Sequence, residues 1–249
     1  MKPIRIILWL IAAGLTLTQA GLGQEGSLET GPPKGITPQE IIQKFTAQEK
    51  EFKSARKRCT YRQSVKFQVL DGETVTEEYQ QVADVRLDEN GRKVKTVVFA
   101  PQPTMILTPE DAADIESRLH FTLSTDELPE YKVLYVGGQQ QDDLHCYVFD
   151  VAPRQIDKDK RYFQGRIWVD DHDFQIVKMT GKSVPDIHRK KKRRSEDNLF
   201  PKFTTYREVV DGKYWFPTYS LTDDTLHFPA GDVHIKGTVK GSDYKCSAP

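Results

Sequence analysis

The sequence predicts a mainly β (α+β) protein built on one strongly bent antiparallel sheet with two helices. Three observations predict it. Period-two runs of apolar residues recur along the chain. Asp-Gly and Asn-Gly dipeptides separate several of them, and such pairs favour tight hairpin turns. Only two stretches carry the residues that start a helix.

The first stretch belongs to none of these elements. Lys2 and Arg5 precede an apolar run from Ile6 to Leu17, and Thr18-Gln19-Ala20 places small residues before a cut. This order reads as a cleavable signal peptide over 1–20. The apolar run is shorter than the roughly 20 residues that span a bilayer. The expectation is an exported, periplasmic, soluble chain, without a lipid anchor because no Leu-x-x-Cys sequence occurs there. Residues 21–36, with Gly21, Gly23, Gly26, Gly31, Pro32, Pro33 and Gly35, read as a flexible linker. Residues 37–249 suit a single domain.

Thr37, Pro38 and Glu40 form the start of a capping box, followed by Ile41, Ile42, Phe45, Phe52 and Ala55 at helical spacing. The predicted helix covers 38–57, with Lys53, Arg56, Lys57 and Arg58 at its carboxyl end, where cations oppose the dipole. From Tyr61 the period becomes two: Tyr61, Gln63, Val65, Phe67 and Val69 face one way. Asp71-Gly72 turns the chain into 74–87, and Asn90-Gly91 turns it again into 93–99. Pro101, Pro103 and Pro109 interrupt the sheet, and Thr108 to Asp111 cap a short helix to about Leu119. Strands resume at 131–137, 144–152, 161–170, 174–182, 202–210, 213–222 and 232–240, with Asp211-Gly212 as a further turn. A sheet of about ten hairpin-linked strands bends around a central space.

Composition limits the functions available. The chain of 249 residues holds 36 basic and 36 acidic residues and is 37% hydrophobic. Six basic residues lie together in Arg189, Lys190, Lys191, Lys192, Arg193 and Arg194. The rest of the chain is therefore acidic, with one basic spot suited to a local anionic contact. The run reads as a solvated loop, or as a contact with anionic membrane headgroups or an acidic partner protein. An acidic body argues against nucleic acid, although aromatic and basic residues are interleaved in the strands.

Catalytic and metal constellations are weak. The six histidines have no motif spacing, and no Gly-x-Ser-x-Gly, His-Glu-x-x-His or phosphate-cradling loop appears. No catalytic residue, cofactor or metal is expected. Asp170-Asp171-His172-Asp173 offers metal-ligand chemistry, but it sits between two strands, where aspartates commonly bond their own backbone as turns. Cys59, Cys146 and Cys246 permit one disulfide and leave one thiol over; their pairing is open.

Two hairpins carry a resemblance. Tyr162-Phe163-Gln164-Gly165-Arg166-Ile167-Trp168-Val169-Asp170 with Phe174-Gln175-Ile176-Val177-Lys178 is one. Phe203-Thr204-Thr205-Tyr206-Arg207 with Asp211-Gly212-Lys213-Tyr214-Trp215-Phe216-Pro217 is the other. With the leader, first helix and meanders, they resemble the LolA/LolB-like superfamily of periplasmic outer-membrane lipoprotein carriers across 38–241. The resemblance implies an unclosed barrel with the two helices as a lid. It also implies acyl chains of lipid or lipoprotein as ligand, and no chemistry. The linker, the basic run and the three cysteines depart from the pattern. Candidate lipid-facing residues are Phe45 and Phe52 on the helix, and Phe67, Tyr79, Trp168, Tyr206 and Tyr214 on strands. In the competing reading, large side chains such as Trp168, Tyr206 and Tyr214 fill the concavity, and the protein works through its surface.

Overall fold

A computed structural model describes residues 25–90, 92–191, 194–210 and 212–247. The leader 1–20, Gly91 and Asp211 of two predicted turns, and Lys192 and Arg193 lie outside the described residues.

Helix α1 spans Pro38–Arg56. Its capping box forms as the sequence predicts: Glu40 N donates to Thr37 Oγ1 at 3.3 Å, and Thr37 N to Glu40 Oε2 at 2.8 Å. Strands β1 (Cys59–Asp71), β2 (Thr74–Leu87) and β3 (Lys93–Phe99) form the first meander. Gly72, with φ of +60°, makes the first turn, where a side chain would be strained. Helix α2, Pro109–Arg118, has a second capping box between Thr108 and Asp111. Strands β4 (Tyr131–Gln141), β5 (Leu144–Pro153), β6 (Tyr162–Asp170) and β7 (Ile176–Val184) follow.

The basic run departs from the predicted loop. It lies in a hairpin of β8 (Ile187–Lys191) and β9 (Arg194–Asn198). The register sets Arg189 opposite Glu196 and His188 opposite Asp197. The His188 Nδ1 and Asp197 Oδ1 atoms of the latter pair are 3.0 Å apart, a cross-strand contact that favours the hairpin. The chain ends with β10 (Phe203–Val210), β11 (Tyr214–Phe228) and β12 (Gly231–Cys246).

Ten strands make one antiparallel sheet in the order β3-β2-β1-β12-β11-β10-β7-β6-β5-β4. β3 and β4 stand at opposite edges, so the sheet stays open and is not a closed barrel. The segment joining them, 100–130, must cross the molecule, and it carries α2 across the concave face. β1 pairs with β12 from Cys59 opposite Cys246 to Leu70 opposite His234, which joins the two meanders. Cys59 and Cys246 form a disulfide across this pair, and Cys146 is a buried free thiol that burial pushes up to about 12. In the chain-entropy account, linking residues 187 apart removes about 5 kcal/mol of unfolded-state freedom.

The composition of 21–36 predicts a linker. Its described part instead runs beside β4: Gly26 N donates to Gln140 O and Glu29 N to Gly138 O. Glu25 pairs with Lys178, and Leu28 packs near Trp168. The unpaired edge of β4 supplies backbone acceptors that a free linker would leave to water.

Helix α1 buries Ile41, Phe45, Phe52 and Ala55 against β5, β6, β7, β10 and β11. Glu49, on the same apolar face, is fully buried and makes a two-pronged pair with Arg207 at 2.6 and 3.2 Å. Arg207 also donates to Phe121 O at 2.9 Å and lies over the Phe52 ring. Removing one partner strands the other charge, which costs about 3–5 kcal/mol, whereas replacing both by apolar residues is often neutral. Glu49→Ala is therefore expected to lower unfolding free energy by about 3–5 kcal/mol. The double substitution Glu49→Leu with Arg207→Met should recover most of it, and urea unfolding of the three proteins measures both.

Candidate functional site: an apolar groove beneath the second helix

The two halves of the concave face differ. Under α1 it is filled. Phe45 packs on Phe149 at 5.6 Å between ring centres, and Phe52 on Phe216 at 5.2 Å, with both helix rings at zero exposure. Under α2 a groove of about 320 Å³ remains, at the small end of the range for ligand sites. Its strand wall comes from Phe67 and Val69 of β1, Val233 and Ile235 of β12, and Leu226 and Phe228 of β11. The opposite wall is Met105, Ile106 and Leu107 of the crossing segment and Ile115 of α2. Leu199 and Pro201, just after β9, complete the rim.

Local sequence explains each wall. β11 outruns β10 beyond Leu221, and β12 outruns β1 beyond His234, so Leu226, Phe228 and Val233 project past the main core, while Ile235 lies opposite Val69 at its margin. Gly237 lies opposite Phe67, and a Cβ there would sit 2.2 Å from the Phe67 ring. Glycine thus lets that ring lie flat on the sheet and form the floor. Ile106 is 89% exposed at the mouth. The root of the basic hairpin is fixed beside this mouth, because Asn198 Nδ2 donates to Thr108 Oγ1 at 3.0 Å and Asp111 Oδ1 at 3.3 Å.

The lining also holds charged residues: Glu77, Asp111 and an ion pair of Asp114 with Arg118. Arg118, 1% exposed, donates to Asp114 Oδ2 from Nε at 3.1 Å and Nη2 at 2.6 Å, and from Nη1 to Thr222 Oγ1. Its guanidinium lies 5.1 Å from the Phe67 ring centre and 5.0 Å from that of Phe203, so cation–π contact offsets part of its desolvation.

Of the seven aromatic candidates, the structure brings Phe67 to the groove, with Tyr79 packed on the same cluster. Phe45, Phe52 and Tyr214 belong to the filled half. Trp168 and Tyr206 lie on the other face of the sheet. Ile167 packs in the cluster with Phe45, and its neighbour Trp168 must point oppositely, toward Leu28. Lys178 lies over both Trp168 and Tyr206, at 4.5 and 5.5 Å. Of the side chains the competing reading named, Tyr214 thus belongs to the filled half, and Trp168 and Tyr206 do not. Met105, Ile106, Leu107, Leu226, Phe228, Val233 and Ile235 escaped sequence reasoning. Their signal was apolar residues inside a Pro-bounded connection and around a hairpin turn, where polar residues are usual.

Two other clusters invite chemistry. At the Asp170 turn, Asp170 Oδ2 accepts from the backbone N–H groups of His172 and Asp173 at 3.2 and 2.7 Å. Asp173 pairs with His172 and accepts from the Trp215 indole. Asp170, His172 and Asp173 stand close enough to share a cation, yet these carboxylates already serve the turn. Near the end of α2, Tyr61 Oη and His120 Nε2 are 2.9 Å apart, and Arg56 Nη1 donates to His120 O at 2.8 Å. Burial, with the Arg56 charge, lowers His120 to about 4. Burial lowers Lys93 to about 8, and it raises Tyr61 well above the usual phenol range. This arrangement holds an uncharged phenol and an uncharged imidazole together at neutral pH.

No protein-family model and no curated protein sequence matches the chain. Among solved structures, similarity extends to a DUF1329 family protein from Desulfovibrio piger, with 13% identity over 82% of this chain and 94% of that one, and a TM-score of 0.37. A domain from Vibrio parahaemolyticus assigned to outer membrane lipoprotein sorting matches at 11% identity over 81% of this chain and 92% of that one, again at 0.37. A chain of the MucA/MucB complex of Pseudomonas aeruginosa matches at 8% identity over 84% and 100%, at 0.25. At such scores the likeness says nothing of what this chain binds. Among the described residues, no helix is long and apolar enough to cross a membrane.

The buried His120 gives a pH signature. Its folded value lies below the ordinary 6.5, so the unfolded chain takes up a proton that the folded chain refuses. Stability from this group is complete above about pH 7 and falls as pH drops from about 6.5 toward 4. Thermal melting across that window should show the loss, and His120→Gln should flatten it.

Proposed function

We propose that this is an exported, periplasmic, non-enzymatic protein that binds an acyl chain of a lipid or lipoprotein in the groove beneath α2, in outer-membrane lipoprotein sorting or transport. One observation carries the reading: an open groove walled on both sides by apolar residues, with an exposed Ile106 at its mouth. Such a surface in water favours an apolar occupant. Burying each methylene contributes about 0.8 kcal/mol, so about fifteen chain carbons give about 12 kcal/mol, and after an association cost of about 4 kcal/mol the remainder lies in the micromolar range.

Titration of the purified chain with a fluorescent long-chain fatty acid, beside organic extraction and mass spectrometry of the native protein, tests the reading. Saturable micromolar binding is expected. Phe67→Ala and Ile235→Asp should weaken it at least tenfold, while Trp168, on the opposite face, should keep its emission. Absence of both saturable binding and copurified lipid ends this reading.

The basic hairpin gives the carrier a surface contact. Each Lys or Arg near an anionic bilayer contributes about 1 kcal/mol, screened by salt. Serine at all six positions 189–194 should leave the fatty-acid titration unchanged and weaken sedimentation with phosphatidylserine vesicles, most at low salt. Equal sedimentation of both proteins would return the hairpin to a solvated role.

A second reading has its own observation. β3 is an edge strand whose seven residues are all exposed, including Val94, Val97, Val98 and Phe99. An open apolar edge accepts an added strand, which suits a scaffold that binds a partner protein. Copurification of a stoichiometric protein in place of lipid, lost on Val97→Lys, favours that reading.

A further inference from the structure

Residues 25–29 rest on a floor built from three strands. Trp168 of β6 and Lys178 of β7 are 6% and 7% exposed. Two glutamines of β4 bond to them: Trp168 Nε1 donates to Gln139 Oε1 at 2.7 Å, and Lys178 Nζ donates to Gln141 Oε1 at 3.1 Å. Each amide so fixed gives its N–H to the segment. Gln139 Nε2 donates to Gly26 O at 2.8 Å, and Gln141 Nε2 donates to Glu25 Oε1 at 3.2 Å. Lys178 pairs with Glu25 directly, and Leu28 packs in the Trp168 cluster. The backbones approach closely. A Cβ on Gly26 would sit 2.9 Å from Gln140 Cβ, and one on Gly137 would sit 2.4 Å from Glu29 O.

The occupant is held less firmly than the floor. Glu25, Ser27 and Glu29 are exposed, and two isolated bridges join the segment to β4. Gly31, Pro32, Pro33 and Gly35 separate it from α1. The strands beneath keep their own ladders without it. Its departure would cost Lys178 its carboxylate and both glutamine amides their acceptors, and an unmet donor in a covered site is unfavourable. It would also bare the β4 edge, which accepts an added strand. The emptied site therefore calls for the same chemistry again. We propose that it is a strand-accepting site for an acidic, extended segment of a partner protein, and that residues 25–29 hold it as an internal stand-in. The segment it takes has an acid for Lys178, a glycine beside it, and an aliphatic residue three places after the acid for Trp168. This edge is opposite β3, and its floor is on the other face of the sheet from the acyl groove, so neither occupant requires the other.

The probe is the capped peptide Glu-Gly-Ser-Leu-Glu-Thr, the sequence of 25–30, labelled at its carboxyl end and followed by fluorescence anisotropy. It is titrated into the full chain and into the full chain carrying Glu25→Lys with Leu28→Asp, which loosens the internal segment and leaves the floor unaltered. A tethered occupant competes at an effective concentration of about millimolar. The variant should therefore bind the peptide saturably, and the unaltered chain roughly tenfold or more weakly. Peptides with glutamine for the first acid, or alanine for leucine, should bind the variant roughly tenfold more weakly, since each loses one socket. No saturable binding to the variant, equal binding by the two proteins, or equal affinity of the three peptides overturns the proposal. A dimer of the unaltered chain that the peptide dissociates would assign the site to a second copy and overturn the partner. If the variant does not fold, hydrogen exchange of the unaltered chain decides. The Gly26 and Glu29 amides should exchange roughly tenfold or more faster than those of the β5–β6 ladder, and equal protection overturns the stand-in.

Discussion

The pairing of β1 with β12 is the constraint on which the other features depend. Each meander by itself is an open ribbon with two edges. Joined through this non-local ladder they become one ten-stranded sheet with a single concave face. The Cys59–Cys246 bridge ties the same ladder at its end. The ladder also places Gly237 under Phe67, which shapes the groove floor. Because β3 and β4 then fall at opposite edges, the connection between them has to traverse the concave face. That path puts α2 and the Met105–Leu107 segment where a wall is needed.

The two helices meet the sheet on different terms. α1 delivers Phe45 and Phe52 into a close-packed interior and is held by the buried Glu49–Arg207 pair. α2 is shorter and holds its own ion pair, Asp114–Arg118, over the β1–β12 region. A ten-residue helix cannot cover the long overhang of β11 and β12. The apolar residues there are left facing a gap. The groove is thus a consequence of unequal element lengths, and the lid that the first helix suggests falls to the second helix and the segment before it.

Charge follows the same division between halves. The acidic body keeps one basic site, and its hairpin root is bonded to the cap of α2 through Asn198. The root of the hairpin therefore stands beside the mouth of the apolar groove.

Much of the local structure was legible in the sequence. The capping boxes at Thr37 and Thr108, the period-two runs and the Asp-Gly turn depend on interactions within a few residues, and they define both helices and the ten sheet strands, although β4, β11 and β12 run on past their expected ends to Gln141, Phe228 and Cys246. The hairpin at 187–198 was not legible as strands, because its sequence carries no apolar alternation. Glu49 was unread because its apolar-face position becomes tolerable only when Arg207, 158 residues away, meets it. The candidate site divides in the same manner. Phe67 was visible as an inward strand residue, but Trp168 and Tyr206 looked equivalent to it, since alternation tells which residues share a face and not which face is concave. Local sequence by itself determined the elements, their caps and the charge distribution. Only the tertiary structure decided which face closes, which half fills and where the groove remains, because those outcomes depend on non-local register and on the lengths of elements that meet in space.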